Sequence, residues 1–430
     1  MCAKSAKKLD STKKMLKTKV TPQPTKRNRK TILDSMDLCT KCGICHAHCP
    51  VAAVTNTFPG PKFTGPQAQR YRVFDQGQEN SPLLCNGCGV CTSVCPNNVA
   101  ITDIITLAKT EITGNGATVP VGQKLLNRPA MIGRMVSLFP FLSNALLKNS
   151  ILRSVVEKVF GIHRHAPLPE IRGRQFQRWL AQKVQPKGPR ISIFTGCAVE
   201  YYDPDPAIAL ASLLNYLGFQ VDAPTNLCCS LPMLSSGETE AARKPARALI
   251  NALLPSAKQG QIILSTSTSC SLTLRAKYAN YLDMSDEEST RVADAIMDAC
   301  EFLLKDHIEY FRASLQEIPQ RVLYHGPCQL RDHRMGEPAL ELLRLIPNIK
   351  LTLSQADCCG IGGTYGYDKK KYAIAMSVGK TLMDQVRQCE PDIIICDSET
   401  CRWNIAAQTG VECIHPVQLL ERALKPDISD

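Results

Sequence analysis

The chain has 430 residues, of which 44% are hydrophobic and 21% are charged, and these proportions are typical of a folded protein rather than a disordered one. The net charge of +12 is concentrated at the start, because residues 1–30 hold eleven Lys and Arg and one acid, while the rest of the chain carries only +2. The sequence has no run of about eighteen apolar residues and no apolar secretory segment near Met1. We therefore expect neither a conventional membrane span nor an exported, disulfide-linked protein.

Residues 1–30 form a basic segment with few apolar side chains, which predicts a disordered tail. A solvated tail, a clamp on anionic lipid and a nucleic-acid-binding arm are all compatible with this composition. The nucleic-acid role is disfavoured, because aromatic side chains are not interleaved with the basic ones and the rest of the chain offers no further basic face. We expect no nucleic acid among the partners.

Two cysteine runs with identical spacing follow, and each ends in Cys-Pro. The spacing C-x2-C-x2-C-x3-C-P is typical of ferredoxins with two [4Fe–4S] clusters, in which the fourth cysteine of each run binds the other cluster. One interpretation assigns cluster I to set I (Cys39, Cys42, Cys45 and Cys95) and cluster II to set II (Cys85, Cys88, Cys91 and Cys49). Structural zinc is the alternative, but zinc sites rarely combine three such cysteines with a fourth before a proline.

The segment between the two runs is longer than in a minimal ferredoxin. Thirty-five residues separate Cys49 from Cys85; they are rich in Gly and Pro at first and helix-like near residues 67–74. This pattern predicts a ferredoxin-like domain of mainly helical structure over residues 31–110.

Residues 111–185 are predicted to be a helical linker. The part from residue 131 to residue 160 has an apolar stripe with basic residues between the apolar ones, and Pro140 should break it. A helix lying on a membrane surface and a helix buried between two domains have the same pattern in sequence. Both interpretations stay open.

The remainder of the chain contains an internal duplication. Two further groups of cysteines recur at offsets of 131, 130, 130 and 131 residues, a register that unrelated cysteines would not keep. They are set III (Cys197, Cys228, Cys229 and Cys270) and set IV (Cys328, Cys358, Cys359 and Cys401).

Each half of the duplication has predicted elements in the order strand, helix, strand, helix, strand, which is typical of a parallel α/β unit. We therefore predict an α/β fold with two cysteine-rich repeats, over residues 186–310 and 311–430, beside the small helical ferredoxin-like domain. The cysteines of sets III and IV follow predicted strands, at the edge where open α/β sheets bind their ligands.

Four thiolates gathered at strand ends can hold an iron–sulfur cluster. The adjacent pairs Cys228-Cys229 and Cys358-Cys359 favour an asymmetric cluster over a simple cube, because the side chains of neighbouring residues diverge. Structural zinc is again the alternative. Since no flavin fingerprint occurs, the predicted cofactors are two cubane clusters and two further iron–sulfur clusters, without flavin.

Several segments around these cysteines resemble a known protein family. They include FPGPKFTGP in the ferredoxin insert, and FTGCAVEYY, HGPCQLRDHRMG, DCCGIGGTYGYDKKKY and DSETCRWNI in the duplication. They are similar to segments of iron–sulfur subunits from heterodisulfide reductases and from glycolate-, lactate- and glycerol-3-phosphate-oxidising enzymes. The likeness is greatest to the C subunits of anaerobic glycerol-3-phosphate dehydrogenases, and it covers residues 33–424.

The resemblance implies an electron-transfer and membrane-anchoring subunit, peripheral to the cytoplasmic side of the inner membrane. Such a protein takes electrons from its flavin-containing partners, the A and B subunits, and passes them to menaquinone, and it has no substrate-oxidising residues of its own. An iron–sulfur subunit of a glycolate or lactate oxidase, an enzyme acting at sets III and IV as heterodisulfide reductases do, and a non-redox metal scaffold are the alternatives.

One departure concerns the end of sets III and IV. Heterodisulfide reductases have an additional cysteine at the positions occupied here by Ser267 and Ser398, and it completes a five-thiolate cluster. The glycerol-3-phosphate type resembles this chain in having serine. The resemblance therefore implies four-thiolate clusters, with a serine oxygen as a possible fifth donor, and it disfavours disulfide reduction.

Overall fold

The structure, a computed structural model, describes residues 24–76, 79–114 and 119–425. Most of the predicted basic tail lies outside these ranges. Residues 24–30 lie within them, where Lys26 forms an ion pair with Asp294 at 2.8 Å and Arg27 one with Asp103 at 3.2 Å. These contacts fasten the N-terminal segment to both the ferredoxin-like part and the first repeat.

The ferredoxin-like part is helical, as predicted, and its described residues contain no strand. The longest helix in this part supplies a buried apolar face that includes Ile101, Ile104 and Ile105, and the shorter helices pack around it. The helices are α1 (Arg29–Asp34), α2 (Ile44–Ala47), α3 (Ala68–Arg72), α4 (Val90–Ser93) and α5 (Ile101–Gly114).

Five helices connect this part to the repeats: α6 (Val121–Leu126), α7 (Pro129–Val136), α8 (Pro140–Lys148), α9 (Ser150–Phe160) and α10 (Gln175–Gln182). Pro140 is the first residue of α8, so it ends the preceding segment as predicted. Within the described ranges, no single helix has both the length and the apolar character of a membrane span. Together α7 and α8 meet that test, but their axes bend by 111°.

The two repeats each contain a four-stranded parallel sheet. In the first repeat the strand order is β2-β1-β3-β4, and in the second it is β6-β5-β7-β8. The strands are β1 (Arg190–Ile193), β2 (Gln220–Asp222), β3 (Ile263–Ser265), β4 (Ile296–Asp298), β5 (Arg321–Tyr324), β6 (Lys350–Leu353), β7 (Ile393–Ile395) and β8 (Cys413–Ile414). The predicted duplicated parallel α/β fold is confirmed.

Helices cover both sheets, and one hydrophobic core that includes Ile193, Leu210, Val322 and Leu420 runs through both repeats. The first repeat contains α11 (Gly196–Tyr201), α12 (Asp205–Tyr216), α13 (Leu231–Ser235), α14 (Thr239–Lys258), α15 (Thr268–Leu272), α16 (Tyr278–Leu282), α17 (Glu287–Ala295) and α18 (Ala299–Ser314). The second contains α19 (Gln329–His333), α20 (Pro338–Leu343), α21 (Tyr372–Cys389), α22 (Glu399–Thr409) and α23 (Pro416–Ala423).

A buried ion pair also joins the repeats. Arg402 on α22 donates to Asp203, which precedes α12, at 2.7 Å, and the Arg402 side chain is only 5% exposed. The repeats therefore form one packed unit.

Candidate iron–sulfur sites

Set I lies at the surface of the ferredoxin-like part. The four cysteines predicted for it line one small cavity, in which Cys42 is exposed and Cys45 is buried. Gly43 takes a φ of 85°, a left-handed conformation that turns the chain between these two cysteines into α2. Burial raises the pKa of Cys45, and the nearby thiolates of Cys39 and Cys95 raise it further.

Set II is more deeply buried. Burial raises the pKa of Cys88 and of Cys91 well above the ordinary thiol value, and it raises the pKa of Cys49 to about 11. Backbone N–H groups donate to two of the sulfurs, from Ala52 to Cys49 and from Gly87 to Cys85, each at 3.4 Å. Cys49, Cys88 and Cys91 therefore ionise readily only when a positively charged group lies among them.

Set III gathers at the carboxyl edge of the first sheet. Cys197 lies on α11 after β1, the adjacent pair lies in the loop after β2, and Cys270 lies on α15 after β3. The Sγ atoms of Cys197 and Cys228 are 3.7 Å apart, and those of Cys229 and Cys270 are 3.3 Å apart.

Set IV has the same arrangement on the second sheet. The Sγ atoms of Cys359 and Cys401 are 3.0 Å apart, and the backbone N–H of Gly360 donates to Cys358 Sγ at 3.3 Å. Hydrogen bonding from Cys328 lowers the pKa of Cys358, and hydrogen bonding from Cys359 lowers the pKa of Cys401. Cys358 and Cys401 are therefore the hydrogen-bond acceptors among the sulfurs of set IV.

These four sets fit iron–sulfur clusters in their chemistry. Each brings together four sulfurs, of which at least one is buried, and backbone N–H groups donate to sulfurs in sets II and IV. Across the described ranges, no three His, Cys, Asp or Glu side chains are placed to hold a single metal ion.

Set II touches the second repeat, a contact that the sequence did not predict. The Asn86 side-chain nitrogen is 3.9 Å from Cys358 Sγ. A Cβ on Gly362 would lie 3.1 Å from the Cβ of Asn86 and 3.3 Å from its carbonyl oxygen, so the two loops meet closely. The charge of a Cys358 thiolate raises the pKa of Cys88 beyond the effect of burial. Sets II and IV are therefore direct neighbours.

Glu399 connects sets III and IV, and sequence patterns gave no indication of it. It begins α22 in the second repeat, yet its Oε1 accepts a hydrogen bond from Ser267 of the first repeat at 3.3 Å. Burial raises its pKa, and its charge in turn raises the pKa of Cys197 and Cys270. In the sequence, the only indication that Glu399 belongs to the site was its position two residues after Asp397, at the turn between a predicted strand and a helix.

Ser267, one of the two serines that lie three residues before the last cysteine of sets III and IV, caps a helix. Its hydroxyl accepts from the backbone N–H of Cys270 at 3.4 Å and caps α15, whereas Ser398 makes no such bond at the start of α22.

Two lysines flank Cys85 of set II. Lys109 on α5 donates from Nζ to the carbonyl oxygens of Cys85 at 2.8 Å and of Ser235 at 3.1 Å. Burial lowers its pKa to about 8, which leaves it mainly protonated at neutral pH. Lys371 lies close to the same cysteine, and burial lowers its pKa as well.

Comparisons with known proteins agree with this geometry. The model of the 4Fe-4S dicluster domain family matches residues 35–99, and that of the cysteine-rich domain family matches residues 191–275 and 322–406. The C subunit of the anaerobic glycerol-3-phosphate dehydrogenase of Escherichia coli is 32% identical over 397 residues, which are 91% of this chain and 99% of that protein.

More distant relatives share the same cysteine-rich architecture. The B subunit of the fumarate reductase (CoM/CoB) of Methanothermobacter marburgensis is 26% identical over 89% of this chain and 70% of its own length. The glycolate oxidase iron-sulfur subunit of Escherichia coli is 22% identical over 96% of this chain and all of its own length.

Proposed function

The chain belongs to the family of anaerobic glycerol-3-phosphate dehydrogenase C subunits, and from that premise we propose that it carries electrons from its flavin-containing partners, the A and B subunits, to menaquinone. The iron–sulfur clusters, when bound, supply one-electron transfer. The protein holds them in a fixed order and docks on its partners, while a partner oxidises glycerol 3-phosphate.

We assign one cluster to each cysteine set: cubane clusters to sets I and II, and two further clusters to sets III and IV. No flavin is assigned to this chain. The same assignment divides the chain into the ferredoxin-like part at 31–110, the helical linker at 111–185 and the repeats at 186–310 and 311–430. The hydroxyl of Ser267 already caps α15, so four thiolates are the donors proposed for set III.

The continuity of the four sets is the observation that carries this proposal. Set I opens to solvent at Cys42, Cys45 lies beside Cys91 of set II, and Cys88 lies beside Cys358 of set IV. Glu399 then lies between sets IV and III. Such a sequence of neighbouring sets, with no isolated member, suits a path for electrons through the protein.

Iron analysis and paramagnetic resonance test this function. The full chain, purified without air, should hold about sixteen irons if each of the four sets carries a tetranuclear cluster. Titration with dithionite should produce signals from interacting clusters. Fully metallated protein without a signal, or zinc in place of iron in the repeats, would contradict the electron-transfer role.

We also propose that helices α7–α9 hold the protein on the membrane. The outer face of these helices and of the turn between α7 and α8 carries large apolar side chains that water reaches, among them Leu138, Phe141 and Ile151, with exposed fractions of 72%, 90% and 75%. Exposed basic residues border this apolar face at Arg134 and Lys158. An apolar face bordered by basic residues is typical of helices that lie in the surface of an anionic membrane.

Flotation with phosphatidylglycerol vesicles tests the membrane contact. Leu138→Asp and Leu142→Asp together should abolish flotation, whereas Val184→Asp, at a side chain that is 92% exposed but outside α7–α9, should not. A second variant that lacks residues 1–23 tests the basic tail and leaves the bound residues 24–30 in place. Unchanged flotation of both variants would contradict the proposed anchoring.

A further inference from the structure

We propose that the ammonium groups of the buried Lys109 and the half-buried Lys371 raise the reduction potential of the cluster in set II above that of the cluster in set I. The inference rests on the proposed function and extends it, because it gives the first step of electron transfer a direction. Electrons that enter at the exposed set I would be drawn inward to set II, next to the second repeat.

Lys109 carries most of this effect. Its side chain is 7% exposed, and both hydrogen-bond acceptors of its Nζ are neutral carbonyl oxygens, those of Cys85 and Ser235. In the part of the chain that the structure describes, Lys109 takes part in no ion pair. Its positive charge is therefore uncompensated and lies next to the backbone of a proposed ligand.

Lys371 approaches the same cysteine from the second repeat. Its Nζ lies 5.3 Å from the centre of the Tyr365 ring and 3.8 Å from Asp368 Oδ2, and its charge interacts with that of Cys85. Asp368 offsets part of this positive charge, so we expect a smaller contribution from Lys371 than from Lys109.

The physical reason is that reduction adds one negative charge to a cluster. A nearby cation stabilises the reduced form, and it does so more strongly in a buried site, where water and salt screen the charge less. Set I also has lysines beside its cavity, Lys41 and Lys62, but Lys41 is exposed and Lys62 only half-buried. Their charges are therefore screened more than that of Lys109, and this difference separates the two cubane sites.

A redox titration of the full chain, purified without air and followed by paramagnetic resonance, tests the inference. Lys109→Gln keeps a side-chain donor for the carbonyl oxygens but removes the charge. We expect it to make reduction of the higher-potential cubane cluster about tenfold less favourable at a given potential, a fall of about 59 mV for a one-electron couple. Lys109→Arg, which keeps the charge, should stay close to wild type.

Two further variants complete the comparison. Lys371→Gln should lower the same couple by a smaller amount, and Lys41→Gln, which removes an exposed charge beside set I, should shift the other couple less than Lys109→Gln shifts its own. An unchanged potential in Lys109→Gln, or a shift of the lower-potential couple, would overturn the inference. A chain without two cubane clusters would instead contradict the proposed function, and iron content distinguishes the two failures.

Discussion

The two cysteine-rich repeats have the same sheet and the same cysteine spacing but different neighbours. Set IV of the second repeat lies against set II through Asn86 and Cys88, whereas set III of the first repeat lies against Glu399. Helix α11, which carries Cys197, packs on α7 of the exposed apolar face, and a Cβ on Gly133 would lie 2.6 Å from Tyr201. The duplicated sheets therefore fix the position of each set within its own repeat. The surrounding segments make set IV an inner set and place set III beside the proposed membrane surface.

The residue after each cysteine pair shows this difference at atomic scale. Ser230 and Gly360 both have a positive φ, 60° and 93°. A Cβ on Gly360 would lie 2.1 Å from the carbonyl oxygen of Ala375, and one on Gly379 would lie 2.4 Å from that of Cys359. Glycine is required in the second repeat because α21 packs directly on the cysteine loop, while the first repeat accommodates a serine.

The largest effect is expected from Gly360→Ser, which gives the second repeat the residue of the first. Left-handed strain and overpacking should together lower the free energy of unfolding by about 3–5 kcal/mol. The iron held by set IV should be lost with it. Ser230→Gly is the matched control and should keep its iron. Urea denaturation and iron analysis measure both, and a fully metallated Gly360→Ser protein would disprove the packing argument.

The second largest effect is expected from the ion pair between the repeats. Asp203→Asn leaves the buried guanidinium of Arg402 without its carboxylate, so the free energy of unfolding should fall by about 3 kcal/mol. The control is Asp205→Asn, which breaks the more exposed pair with Arg172 and should cost less than about 1 kcal/mol. Equal losses in the two variants, measured by urea denaturation, would show that the buried pair does not hold the repeats together.

The pH dependence of stability should distinguish the residues that cap the helix after the last strand of each repeat. Burial raises the pKa of Asp298 from 3.8 to about 8, and the charges of Asp397 and Glu301 add to the shift. The folded protein thus favours the protonated carboxyl of Asp298, and this preference adds to the free energy of unfolding. The added stability is fully present below pH 3.8 and is lost as the pH rises through about 8. Between pH 7 and 9 the loss should be about 1.4 kcal/mol.

Asp298→Asn removes this titration and can still accept the hydrogen bond from the backbone N–H of Cys300, so its stability should change less over the same range. Burial lowers the pKa of His415, the equivalent cap of α23, so this cap adds no such loss. Urea denaturation measures the free energy of unfolding at each pH. An equal loss in wild type and Asp298→Asn between pH 7 and 9 would assign the effect to other groups.

The smallest effect concerns the serines that replace a fifth cysteine. Ser267→Ala removes the cap of α15 and should cost about 1 kcal/mol in the free energy of unfolding. Ser398→Ala removes no capping bond and should change it by less. Thermal denaturation of the two variants compares them, and the reverse order would contradict the assigned cap.

Much of the fold follows from local patterns in the sequence, while the contacts between its parts do not. The 130-residue register of the cysteines and the β-rich runs predicted two parallel α/β units, and both are present. The fourth strands, β4 and β8, were missed because they lead directly into helices and no cysteine of sets III and IV follows them.

The burial of Lys109 was also unpredictable, since a lysine on an amphipathic helix ordinarily faces solvent. Its environment depends on carbonyl groups of Cys85 and Ser235, the second of them 126 residues away. The approach of Asn86 to Cys358 likewise spans 272 residues. Such pairings arise from packing between domains, which no pattern of neighbouring residues encodes.

Among the sixteen cysteines of the four sets, all of which lie in the described ranges, Cys42 alone is exposed. Dissolved oxidants reach a sulfur more readily where water does. Damage by air should therefore begin at set I and progress inward, so that a partly oxidised preparation would keep its deeper clusters while losing the one at which the proposed path begins.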